Sequence, residues 1–201
     1  MKTLKSNINR RSFRVRKYEN GGTNPTDPPS ALDSFLAYTI KKKGGTPEQY
    51  NDLMYSISFH ETGPHQRRKP NAIQLVERGD TILPEGPGRG LFMFEVGDSK
   101  GGITAVNRTY KEYKDAGMDI PDFLKEAYSL KSIDLSKYTP EQQKILFLGN
   151  YLQHPKADFS KVMNDEESYD DFWFNYHQAG GEDVKAARIG SYRESEKARK
   201  K

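Results

Sequence analysis

The sequence predicts a mainly α-helical fold built as one domain, and three observations carry that expectation. Apolar residues recur at steps of three and four, most plainly in Tyr50, Leu53, Met54 and Ile57. Thr46-Pro47-Glu48-Gln49 and Thr139-Pro140-Glu141-Gln142 share one helix-start pattern: an N-cap Thr, a Pro at the first helical position and a Gln three residues after the cap. Alternating runs long enough for strands are nearly absent. A chain of 201 residues with 34% hydrophobic and 11% aromatic content supports one substantial core rather than two.

Taken in order, residues 1–17 carry Lys2, Lys5, Arg10, Arg11, Arg14, Arg16 and Lys17 with no acid before Glu19. The stretch YENGGTNPTDPP follows as a Gly/Pro-rich linker, so residues 1–28 read as a basic N-terminal arm and linker ahead of a domain over 29–190. A first helix is expected over 30–43, with Leu32, Phe35, Leu36 and Ile40 on one stripe and Gly44-Gly45 as its stop. The second begins at Thr46 and ends at Gly63-Pro64. Residues 64–102 are rich in Gly and Pro and predict loops with a short hairpin around 74–94. Helices are expected again over 103–116, 121–130 and 139–153. Another over 165–177 would put Tyr169, Phe172, Trp173 and Tyr176 on one face before Gly180-Gly181. A surface helix over 182–198 would lead into a basic C-terminal tail, 191–201.

Charge and composition narrow the partners. The net charge is only +4, but the arm concentrates basic residues, which suits a polyanion: nucleic acid, anionic lipid, an acidic wall polymer or other virion proteins. The alternative is a solvated tail that only aids solubility. With no Cys, disulfides and thiolate metal sites are excluded, and synthesis in a reducing compartment fits. No stretch approaches the ~20 apolar residues of a membrane span. The basic start lacks an apolar h-region, so cytoplasmic synthesis without a secretory signal is expected.

Glu61 continues the apolar stripe of the second helix to its C-terminal end. Desolvation and the negative end of the helix dipole both disfavour a carboxylate there, and both would raise its pKa. A Glu tuned in this way can hold a proton and deliver it to a leaving oxygen. The competing reading is a helix-end carboxylate paired with Arg67 or Arg68. Farther on, Gly86-Pro87-Gly88-Arg89-Gly90 precedes Leu91-Phe92-Met93-Phe94, where bare backbone could approach a ligand or simply turn tightly into the core. No Gly-Lys-Ser/Thr ending supports a phosphate cradle. The segment from Phe172 to Gly180, with Tyr176, His177 and Gln178, offers apolar faces for sugar rings and polar tips for hydroxyls, although core packing explains Phe172 and Trp173 equally well.

Taken as an ordered set, residues 56–61 with Thr62-Gly63, GRGLFMF at 88–94 and YHQAGG at 176–181 resemble the lysozyme-like soluble lytic transglycosylases and goose-type lysozymes, over roughly 47–190. The set also resembles peptidoglycan-cleaving proteins of tailed-phage virions. The resemblance implies a lysozyme-like catalytic domain with Glu61 as its acid and base. Gly90, Leu91, Phe92, Met93, Tyr176, His177 and Gln178 would be the substrate-binding residues. It implies cleavage of the β-1,4 bond between N-acetylmuramic acid and N-acetylglucosamine with a 1,6-anhydro product, without metal or cofactor, by a chain carried in a phage particle to the bacterial wall. Met93 stands where the family has Gln, and His177 or Gln178 where it has Asn, which bears on substrate preference. One alternative is a muramidase using the same Glu61 with a water and a second carboxylate, for which Glu77, Asp80, Glu85 and Glu95 are candidates. Another is an inactive structural or nucleic-acid-associated virion protein. His60 and His65 lie five apart across Gly63-Pro64, the wrong spacing for a zinc helix, and His154 reads as a capping or surface residue.

Overall fold

The computed structural model describes residues 29–63, 65–78, 81–97 and 101–177, and among these the fold is mainly helical, as the sequence predicts. Helix α1 (Ala31–Lys43) starts at Ser30, whose hydroxyl caps Asp33 N while the Asp33 carboxylate returns to the Ser30 backbone. Helix α2 (Pro47–Thr62) starts with the same reciprocal box between Thr46 and Gln49 and stops at Gly63, whose φ of +59° ends the helical path. Two short antiparallel hairpins follow, β1 (Val76–Arg78) with β2 (Thr81–Leu83) and β3 (Gly88–Arg89) with β4 (Phe94–Glu95), so the single expected hairpin is in fact two. Helices α3 (Gly101–Asp115), α4 (Asp122–Tyr128) and α5 (Pro140–Leu152) match the expected segments within two residues at each end. No helix among the described residues is long and apolar enough to cross a membrane.

The expected helix over 165–177 needs correction. A short α6 (Phe159–Met163) precedes it, Asp165 takes a φ of +60° in the intervening turn, and α7 (Tyr169–Phe172) starts only where Ser168 caps Asp171 N. Tyr169 and Phe172 continue into a π-helical turn, Trp173–His177. The helix expected over 182–198 lies outside the described residues.

Helix α5 is the axis of the core. From Ile145 to Leu152 every residue is buried, which is the pattern of a helix enclosed on all sides. It crosses α3 where Gly149 meets Thr109, and a Cβ on Gly149 would lie 2.3 Å from the Thr109 hydroxyl oxygen. Phe147, Tyr151, Phe159 and Phe172 form one aromatic cluster, with Phe159 and Phe172 stacked at 5.4 Å.

The interior also holds a carboxylate. Glu112 on α3 is fully buried and accepts from Tyr38 at 2.5 Å, from Lys42 and from Gln153, joining α1, α3 and the end of α5. Burial alone would raise its pKa, but the donors Lys42, Tyr38 and Gln153 hold it below the ordinary glutamate value. A carboxylate with a lowered folded pKa contributes stability above its unfolded value, near ~4.3, and loses it as pH falls through the folded value. Asp158, bonded to Lys43 at 2.9 Å and capping Ser160, is pushed down to about 2 and acts in the same direction. Glu112→Gln is therefore expected to lower unfolding stability at pH 7 by about 1–3 kcal/mol and by less near pH 3. Urea titrations at the two pH values check this; an equal loss at both would mean that the charge is immaterial.

Candidate active site at the end of α2

The stripe that predicts α2 also fixes where its last turn points. Tyr50, Leu53, Met54 and Ile57 are buried, and Glu61, one turn beyond Ile57, emerges at the rim with its side chain 13% exposed. Trp173 Nε1–H donates to Glu61 Oε1. The indole also stacks on His60, with ring centroids 5.3 Å apart. Arg67 and Arg68 lie with their guanidiniums over Phe59 and Tyr55, at 4.2 and 4.1 Å.

His177 Nε2 stands 3.8 Å from Glu61 Oε1. Nε2 is 2.7 Å from the Phe92 carbonyl oxygen, which can only accept, so Nε2 carries the hydrogen. The Tyr151 hydroxyl is hydrogen-bonded to Nδ1. Burial first, and the Glu61 charge second, keep the Tyr151 phenol far above its ordinary pKa, so it stays neutral. The imidazole is 4% exposed and acts as an internal brace between α5, the 90–93 turn and the last helix.

Two residues of the π turn, Trp173 and His177, reach Glu61. Phe172 and Tyr176 face Tyr151 and His154, with Tyr176 5.3 Å from Phe172 and 5.7 Å from His154. Trp173 and His177, also four apart, both reach Glu61 on α2, and His177 keeps its bond to Tyr151.

The expected binding residues divide accordingly. Glu61 and His177 come together, whereas Tyr176 packs between Phe172 and His154. Gly90, Leu91 and Phe92 lie in the interior, not on a face that a ligand reaches. Gly90 takes a φ of +77°, donates to Ala72 O at 2.8 Å and presses on Gln143, where a Cβ would sit 2.4 Å from Oε1. That Gln143 oxygen accepts Leu91 N at 2.6 Å, so the glycine-rich backbone is engaged with its own chain. Met93, half-buried at φ +46°, completes the turn that aims the Phe92 carbonyl. Gln178 lies outside the described residues, as do Asp80 and the side chain of Glu77; Glu85 pairs with Arg78, and Glu95 is on the surface. His154 caps a turn, its Nδ1 accepting from Ala157 N at 3.0 Å. A separate cleft of about 640 Å³, lined by Val96, Phe123, Glu126, Leu130, Tyr138 and Gln142 among others, shares no residue with the Glu61 cluster.

Of this cluster, the sequence places Tyr151 in the core alone and leaves Trp173 between a sugar-facing and a core role, without showing that its indole N–H meets Glu61. A signal was present for Trp173, since a buried indole N–H normally finds an acceptor and this is the chain's single Trp. Comparison with family models, curated proteins and solved structures finds no match to this chain.

Proposed function

We propose that this chain is a lytic transglycosylase that cleaves peptidoglycan between N-acetylmuramic acid and N-acetylglucosamine, with Glu61 as both acid and base. The observation that carries the reading is the half-buried Glu61 carboxyl at a helix C-terminus, oriented through one oxygen by the Trp173 indole N–H. With Oε1 engaged, Oε2 is the oxygen that carries and delivers the proton. It protonates the bridging oxygen as the C1–O bond breaks, and the resulting carboxylate takes the proton of the muramyl C6 hydroxyl as that oxygen closes on C1. Glu61 ends in the protonated state in which it began, so one carboxyl suffices. The basic residues 1–17 support the further reading of a virion component that meets polyanions on its way to the wall.

Mass spectrometry of fragments released from purified sacculi tests this directly. Fragments ending in 1,6-anhydromuramyl residues are expected. Reducing muramyl ends would make the chain a muramidase with the same acid, and no release at all would favour an inactive scaffold.

A further inference from the structure

Residues 65–70 turn back from the end of α2 and lie against the start of α5. Gln143 Nε2 holds this segment by donating to Pro70 O at 2.8 Å. Within it Arg68 is fixed at three points of α2. Its backbone N–H donates to Thr62 Oγ1 at 2.6 Å, its Nε donates to Ser58 Oγ at 3.3 Å, and its guanidinium covers the Tyr55 ring. The backbone is held at φ +54°, a conformation an Arg adopts only where its surroundings impose it. Among the described residues no hydrogen-bond acceptor meets its terminal Nη1 and Nη2. Lys144, one residue past Gln143, is half-buried and likewise has no ion-pair partner among the described residues. Burial, and then the nearby Arg68 charge, lower the Lys144 pKa, against a weaker opposing pull from Glu141 three residues earlier on α5.

Two cations held in this way, one rigidly and beside the residue that follows Glu61, form a receptor for a planar oxyanion. We propose that Arg68 and Lys144 form a carboxylate subsite that engages the acidic groups of a peptidoglycan strand next to the bond that Glu61 cleaves. This rests on the glycan-cleaving reading above. The carboxylate belongs either to the muramyl lactyl ether of a peptide-free strand or to a stem peptide.

The test is calorimetric binding to the full 201-residue chain carrying Glu61→Gln, so that turnover plays no part. The probes are a peptide-free tetramer alternating N-acetylglucosamine and N-acetylmuramic acid, its peptide-bearing counterpart, and neutral chitotetraose. At least one acidic strand is expected to bind about tenfold more tightly than chitotetraose, and which one does identifies the source of the carboxylate. Arg68→Gln and Lys144→Gln are each expected to erase most of that preference while chitotetraose binding stays the same. If Arg68→Gln fails to fold because its ties to α2 are lost, Lys144→Gln carries the test alone. A preference that survives in the folded variants overturns the proposal. So does a loss confined to poly(glycerol phosphate), included as a phosphodiester control. A chain that binds acidic strands through Arg68 and Lys144 yet releases no fragments would retain the subsite and lose only the catalytic reading.

Discussion

Glu61→Gln is expected to reduce release of wall fragments by at least about 100-fold, the usual contribution of general acid catalysis, while the folded structure persists. The substitution is nearly isosteric, and the amide oxygen still accepts the Trp173 N–H, so α2 and the π turn stay joined. What is lost is the exchangeable proton. Trp173→Phe is the informative companion, because it keeps an aromatic ring against His60 but removes the donor. Without that donor the carboxyl is no longer oriented through Oε1, and kcat should fall about tenfold with little change in KM. Steady-state kinetics on a soluble glycan and thermal melts decide both. A folded, fully active Gln variant would sink the assignment of Glu61.

Gly149→Ala should destabilise the fold by driving α3 and α5 into a steric clash. The new Cβ would lie 2.3 Å from Thr109 Oγ1 and 2.6 Å from both Thr109 carbons, and Thr109 is itself fully buried. Thr109 cannot turn aside without losing its bonds to Ala105 O at 2.6 Å and Leu146 O at 3.3 Å. Overpacking of this severity costs up to about 3 kcal/mol, against ~1 kcal/mol returned by alanine's better helix propensity, leaving a net loss of about 2 kcal/mol. Thr109→Ala opens the space that the new methyl needs, so the double variant should be more stable than the sum of the single effects predicts. Denaturant titrations of the four proteins test this, and strict additivity would mean that α3 and α5 separate instead of clashing.

Much of the fold was legible because its signals are local. The Thr46–Gln49 and Thr139–Gln142 boxes act through residues three apart, and both occur with the predicted reciprocal bonds. Gly44 and Gly63 end their helices at positive φ for reasons intrinsic to glycine. The start of α7 was misjudged because Asp165 and Glu166 resemble a helix N-terminus, while Ser168 is the residue that caps.

The sequence by itself determined the mainly helical class, the positions of α1 to α5 and the placement of Glu61 on the last turn of a buried stripe. These depend on periodicity, caps and breakers within a few residues. Only the tertiary structure decided what surrounds that carboxylate. The Trp173 indole reaches Glu61 across 112 residues, the Phe92 carbonyl meets His177 across 85, and Gln143 turns Gly90 inward across the α5 interface. Those partners depend on the crossing of elements far apart in the chain, which no local pattern encodes.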